Sequence, residues 1–161
     1  KVLKDTGLEP HLLCLEITEN ALIKNKSYAI NILQELKKMG VRIAIDDFGT
    51  GYSGLGYLSS FPCNTIKLDR MFIQDIHQRF SNQRIVSAII KMSHELDLNV
   101  IAEGAETPEE LDYLKLQKCD IVQGFVYAKP MPSHDVTQFI QANISEQLDS
   151  NQASIPATLA Y

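Results

Sequence analysis

The chain has 161 residues, a formal net charge of −5, and 45 % hydrophobic against 22 % charged residues. That balance excludes a largely disordered chain and a basic protein that coats a nucleic-acid polymer, while leaving open a small nucleotide held through metal ions. The length suits one domain with a real core, and no apolar run approaches the ~20 residues of a bilayer span.

The pattern alternates short apolar runs with helical stretches. Residues 12–18 (LLCLEIT) read as a strand, and residues 25–39 as a helix with Asn25 as N-cap and Gly40 as its stop. Residues 41–47 (VRIAIDD) form a second strand, residues 55–60 a short helix ending at Phe61-Pro62, and residues 65–68 (TIKL) a third strand. Ile85, Ile89, Met92 and Leu96 recur at helical spacing and predict a helix over 82–97 with that apolar face. Residues 99–102 (NVIA) are a fourth strand. Thr107-Pro108-Glu109-Glu110 then supplies an N-cap, a proline at N1 and a capping-box glutamate for a helix running to 117. Residues 120–124 (DIVQG) are a fifth strand, and Ser133 opens a last helix whose Val136, Phe139, Ile140 and Ile144 share a face. Residues 1–147 are read as the folded part and 148–161 as a disordered tail.

Strands alternating with helices imply an α/β fold with a parallel sheet, either doubly wound or part of a (βα)8 barrel. There is no glycine-rich phosphate loop. The polar residues fall at the strand ends: Glu16, Asp46-Asp47, Lys67, Glu103 and Gln123. In a parallel barrel these ends gather on one face, where the active site lies. Any one such acid reads as readily as a helix cap or loop residue. Asp46-Asp47 is sharper, because two adjacent carboxylates repel and their desolvation calls for a cation. Neighbours in a strand also point to opposite faces, so the pair belongs where the strand breaks, a break that Phe48-Gly49-Thr50-Gly51 supplies. Such oxygen donors suit hard divalent cations, and two ions a few Å apart could activate water against a phosphodiester. Lys67 reads as a partner of these acids or a surface lysine, Asp69 is spaced to pair with it, and Glu106 reads as a loop support. His11, His77, His94 and His134 read as surface residues, and Cys14, Cys63 and Cys119 as small buried apolar ones. Their spacing builds neither a disulfide framework nor a zinc site, which suits a reducing cytosol.

Five ordered stretches resemble the EAL domain, the bacterial cyclic di-GMP phosphodiesterase domain. They are Leu15-Glu16-Ile17-Thr18-Glu19, then Asp46-Asp47-Phe48-Gly49-Thr50-Gly51-Tyr52-Ser53, and then Lys67-Leu68-Asp69-Arg70. Ile101-Ala102-Glu103-Gly104-Ala105-Glu106-Thr107 follows, and Gln123-Gly124-Phe125 with Lys129-Pro130-Met131-Pro132 completes the set. The resemblance spans residues 1–144. It implies a TIM-like (βα)8 barrel with one antiparallel strand, of which about five βα units are present, and hydrolysis of cyclic di-GMP to linear pGpG with Mg2+ or Mn2+. By this resemblance Glu16, Asp46, Asp47 and Glu103 are metal ligands, with Asp46 bridging and Glu103 a candidate general base. Lys67 orients the water and a phosphate oxygen and is held by Asp69, and Gln123 lies close to the substrate. Glu19 braces the loop from Phe48 to Leu55, which links the metal site to a homodimer interface. The parent is expected to carry upstream sensory or GGDEF-type domains and to be cytoplasmic, free or tethered to the inner membrane.

The Glu-Ala-Leu signature and the strand after it, with their metal-binding glutamate and asparagine, are not in this sequence. A full barrel takes about 250 residues. The chain is therefore read as the C-terminal two thirds of the domain, inactive and prone to self-association by itself. A catalytically silent receptor or interaction module of the same family is the alternative, and an unrelated divalent-metal α/β phosphatase a distant third.

Overall fold

The computed structural model describes residues 1–24, 26–51, 58 and 60–149. Helix α1 (Val2–Thr6) ends at Gly7, and a 3-10 turn at Pro10–Leu12 leads into β1 (Cys14–Thr18). Helices α2 (Glu19–Lys24) and α3 (Lys26–Lys38) follow, then β2 (Arg42–Phe48), β3 (Thr65–Leu68), α4 (Arg70–Ile73) and α5 (Phe80–Glu95). The chain continues through β4 (Asn99–Glu103), α6 (Pro108–Leu116), β5 (Ile121–Gln123) and α7 (Ser133–Asp149).

All five strands are present where the apolar runs place them, with shifted ends. The first strand starts two residues late, because Pro10 sets a tight turn in which Leu13 N donates to Pro10 O. Glu19–Lys24 is helical, an element the sequence reading lacks, and the expected N-cap Asn25 lies outside the described residues, as does most of the expected helix at 55–60. The last helix runs to Asp149, past the expected start of the tail at 148. Residues 150–161 lie outside the described residues.

The sheet order is β1-β2-β3-β4-β5, every pair parallel. A doubly wound sheet reverses its strand order at a switch point, and this one does not. The sequential order is that of an arc of a barrel.

Register and pleat divide the strand residues between two faces. Registered partners in a parallel pair share a face, and successive residues alternate. The pairs Glu16↔Ala44, Ala44↔Thr65, Thr65↔Asn99, Lys67↔Ile101 and Glu103↔Gln123 therefore put Glu16, Asp46, Lys67, Glu103 and Gln123 on one face. Ile43, Ile45, Ile66, Leu68, Val100 and Ala102 point to the other, where all are buried with helical side chains such as Val86, Ile90 and Leu114. One face of the sheet holds the core and the other holds the chemistry. Ile66 is fully buried in that core. Ile66→Ala is expected to destabilise the fold by about 3 kcal/mol through lost burial and the cavity left behind, read as a lower urea midpoint with unchanged slope.

Helix α5 buries part of the expected stripe, with Ile89 buried and Met92 packed against the core, but Val86 and Ile90 are inside where the spacing predicts Ile85 and Leu96. Val86, Ile89, Ile90 and Ser93 are buried, while Ile85 is 43 % and Leu96 37 % exposed. Ser93 is tolerated inside because its hydroxyl donates to Ile89 O. Helix α6 has the expected capping box: Thr107 Oγ1 accepts from Glu110 N, and the Glu110 carboxylate accepts from Thr107 N. Of the cysteines, Cys63 is buried and Cys119 partly so, whereas Cys14 is exposed on edge strand β1, against expectation. Burial pushes the Cys119 thiol up to about 12, which suits a packing role rather than a nucleophile. His11, His94 and His134 are exposed as expected, but His77 is half-buried in the turn after α4, with Nδ1 enclosed and without a hydrogen-bond partner.

Candidate active site

The site is organised by Lys67. Its side chain rises from the middle of the sheet and is 5 % exposed, and its ammonium meets carboxylates from three other strands. Nζ lies 2.6 Å from Glu16 Oε2 on β1, 3.1 Å from Asp46 Oδ1 on β2 and 2.7 Å from Glu103 Oε1 on β4. Burial by itself would lower the lysine's pKa. Hydrogen bonds to Glu103, Glu16 and Asp46 outweigh it and raise the value, so Lys67 is a permanent cation. Glu103 is shifted the other way from most paired carboxylates. Burial raises its pKa, Lys67 pulls it back, and the charges of Asp46 and Glu16 raise it further.

A bulge sets the acidic pair. From Ile45 to Phe48 the second strand takes three steps while its partner takes two, from Ile66 to Leu68. In a regular strand Phe48 would share the face of Asp46. The extra residue turns it to the core side instead, opposite Leu68 and only 3 % exposed. Asp47 takes up the irregularity with φ +54, a conformation that aspartate tolerates better than most residues. The irregularity thus falls at Asp47 as a bulge, inside a strand that runs on to Phe48, just ahead of the break expected at residues 48–51. Partial burial raises the Asp47 pKa, helped by the charges of Asp46 and Asp69.

Glu19, 1 % exposed at the end of β1, reaches across to the loop that follows. Its Oε2 accepts from Gly49 N at 3.0 Å and Gly51 N at 3.4 Å. Thr50 closes the turn by donating its N–H and hydroxyl to Asp47 O. Gly49 has φ +91 and lies against the Phe72 ring, so a side chain there would be strained and crowded. Tyr52 and Ser53 lie outside the described residues. Gln123 is exposed on β5 opposite Glu103. Glu106 ion-pairs with Arg70 at 2.9 Å above the strand ends.

Asp69 departs from the expectation that it holds Lys67. The strand ends at Leu68, so the two-residue spacing no longer keeps the two side chains together, and the Asp69 carboxylate caps α4 by accepting from Met71 N at 2.7 Å. Two further residues belong to this region without a local sequence signal for it: Arg70, which pairs with Glu106, and Glu110. Glu110, read only as a helix cap, accepts from Asp75 N at 2.8 Å and Glu106 N at 2.7 Å, so it binds two loops together. Burial opposes the charge of Glu110, but hydrogen bonds from Glu106, Asp75 and Thr107, and the nearby His77, hold its pKa below the ordinary range. A depressed native value stabilises the fold fully above the unfolded value of about 4.3, and that stability is lost as pH falls through the native value. Urea midpoints measured from pH 6 down to 3 should therefore fall more steeply for the natural chain than for Glu110→Gln.

Among the described residues no three acidic, histidine or cysteine side chains are arranged around a common point as ligands to one ion. The carboxylates are gathered on Lys67 instead. Their chemistry nonetheless fits a hard divalent cation: all are oxygen donors, and the Lys67 ammonium at 3.1 Å is the neighbour that the enclosed Asp46 Oδ1 has among the described residues. No helix among the described residues is long and apolar enough to cross a membrane.

A sequentially ordered arc of a βα barrel carries carboxylates and a lysine on one face of its strands, toward the ends where barrel active sites lie. The chain belongs to the EAL domain family, whose pattern matches residues 1–130. It is 43 % identical over 140 residues to the cyclic di-GMP phosphodiesterase NbdA of Pseudomonas aeruginosa, covering 87 % of this chain and 18 % of NbdA. The phosphodiesterase MucR of the same organism, solved in complex with c-di-GMP, superposes with a TM-score of 0.79 at 40 % identity, over 83 % of this chain and 54 % of that one. BlrP1 of Klebsiella pneumoniae, solved with manganese and cyclic di-GMP, superposes with a TM-score of 0.75 at 37 % identity, over 80 % of this chain and 33 % of that one. The chain thus spans only part of the proteins it matches.

Proposed function

We propose that the protein carrying this chain is a metal-dependent phosphodiesterase that hydrolyses cyclic di-GMP to linear pGpG. The observation that carries the reading is the meeting of Glu16, Asp46 and Glu103 on Lys67, beside Asp47 at the bulge. The relatives' names and their complexes with c-di-GMP and manganese support the substrate and the metal class.

Glu16, Asp46, Asp47 and Glu103 would hold Mg2+ or Mn2+ through their carboxylate oxygens. When bound, the metal supplies Lewis acidity and a water of lowered pKa. Lys67 places its positive charge where a non-bridging phosphate oxygen gains charge and orients the attacking water. Glu103, 2.7 Å from Lys67 Nζ on the adjacent strand, would accept the proton from that water. Gln123 binds at the substrate edge, and Glu19 keeps the loop after Asp47 in place. Asp69 and Glu106 hold the neighbouring loops through α4 and Arg70. We further propose a cytoplasmic protein working as a homodimer under upstream sensory or GGDEF-type domains, a reading that rests on the family.

The test is turnover. Purified protein is incubated with cyclic di-GMP and Mg2+ or Mn2+, and the products are separated by chromatography. Metal-dependent pGpG that disappears with chelator is expected. A folded protein that binds cyclic di-GMP without turnover would overturn the enzyme in favour of a receptor. The 161-residue chain alone is expected to be inactive, since its five strands leave β1 and β5 as open edges.

A further inference from the structure

The capping box of α6 needs only one of the contacts that Glu110 makes. A helix cap accounts for Thr107 N donating to Oε2 at 3.1 Å. The same oxygen also takes Glu106 N at 2.7 Å, and Oε1 takes Asp75 N at 2.8 Å, from 35 residues earlier in the chain. Asp75 adopts φ +56, a left-handed turn conformation that aspartate tolerates better than most residues. The carboxylate is 2 % exposed. It therefore joins, from inside, the segment that follows Lys67 on β3 to the loop that follows Glu103 on β4. The exposed Arg70–Glu106 ion pair joins the same two segments from outside.

Lys67 and Glu103 lie on adjacent, paired strands and meet at 2.7 Å just before the two loops that Glu110 joins. We propose that Glu110 is a positioning residue for the active site, a buried clasp whose three backbone hydrogen bonds fix the loops after β3 and β4 and thereby the meeting of Lys67 with Glu103. The inference rests on the phosphodiesterase reading for its kinetic arm and stands without it for its structural arm.

The variants are Glu110→Ala, Glu110→Gln and Glu110→Asp in the full protein that carries this chain, with Thr107→Ala as the control. Thr107→Ala removes the hydroxyl half of the cap and leaves all three bonds to Glu110 in place. All four are assayed well below their melting temperatures. For Glu110→Ala, kcat per folded molecule is expected to fall about tenfold with KM for cyclic di-GMP little changed, since one or two misplaced hydrogen bonds at a reacting pair cost about that factor. Glu110→Asp should be nearly as poor, because it keeps the charge but falls one methylene short of Asp75 N. Glu110→Gln should recover part of the loss through its one carbonyl oxygen. Thr107→Ala should melt earlier with kcat unchanged. In the structural arm, amide exchange should accelerate at Asp75, Glu106 and the ends of β3 and β4 in Glu110→Ala, and Mn2+ titration by calorimetry should show weaker binding.

Equal kcat for Glu110→Ala and the natural protein, or an equal loss in Thr107→Ala, would reduce Glu110 to a helix cap and overturn the proposal. If the natural protein shows no turnover, the phosphodiesterase reading fails. The clasp is then decided by amide exchange alone: unchanged exchange at the ends of β3 and β4 would overturn it.

Discussion

Lys67→Met is expected to lower turnover of cyclic di-GMP by roughly 10³-fold, the upper part of the range for removing one charge-stabilising group from an active site. Methionine nearly fills the same volume, so the effect isolates the charge. In the natural chain one ammonium serves Glu16, Asp46 and Glu103, and its Nζ is within 3.1 Å of all three. Without it three carboxylates converge with no counter-charge. Breaking a buried pair costs about 3–5 kcal/mol, and the lower end applies because Glu16 is half exposed and can turn to water. The sign of the pH dependence follows. Burial already raises Glu103 and Lys67 pulls it back, so loss of Lys67 raises its native value further. A carboxyl whose native pKa lies above its unfolded one destabilises the fold at neutral pH and is relieved on acidification. The urea midpoint of Lys67→Met should therefore approach that of the natural chain as pH falls from neutrality, while its turnover stays low. Lys67→Arg should restore much of the stability and little of the activity, since a planar fork cannot copy a compact ammonium. Full activity in Lys67→Met would remove Lys67 from the mechanism.

The parts of this site that were legible in the sequence are those carried by neighbours along the chain. The short apolar runs at residues 41–47 and 99–102 are enough to place Asp46 and Glu103 at strand ends, and the capping box of α6 is a four-residue signal that the structure reproduces. What was misread turned on where a period stops or which of two periods wins. The two-residue spacing from Lys67 to Asp69 pairs them only if the strand continues, and it ends at Leu68. Helix α5 carries two overlapping apolar stripes, through Ile85 and through Val86, and packing against the sheet selects the second although it includes Ser93. Periodicity gave no means to choose, because the cost of burying a serine vanishes once its hydroxyl bonds Ile89 O. The bond from Asp75 to Glu110 links residues 35 apart and leaves no local pattern at all.

Gly124→Ala is expected to be the most damaging glycine-to-alanine change among the described residues. Gly124 follows Gln123 at the end of β5, and a Cβ built there falls on the carbonyl oxygen of Ala105, with the Ala105 nitrogen at 2.5 Å and its carbonyl carbon at 2.7 Å. A flexible side chain could step aside, but this neighbour is backbone, and it is held from both sides. Ala105 N donates to Gln123 O at 3.2 Å, and Ala105 O accepts from Val126 N at 3.0 Å. Making room therefore breaks at least one of these bonds and shifts either the exit of β5 or the loop after Glu103. Overpacking of this kind costs typically 1–3 kcal/mol, and the loss of a buried backbone hydrogen bond adds about 1–3 more. A combined loss of about 4 kcal/mol is a large share of the 5–15 kcal/mol that holds a domain together. The damage also lies next to the chemistry, since Gln123 is the registered partner of Glu103. Molecules of Gly124→Ala that remain folded should accordingly turn over poorly, with the fall in kcat exceeding that of Ile66→Ala at matched folded fraction. Ile66→Ala is the apt comparison, because it removes core volume on the far face of the same sheet and leaves the Glu103–Gln123 register alone. Equal activity per folded molecule in the two variants would show that the close approach of Gly124 to Ala105 serves packing only and does not hold the active-site strands in place.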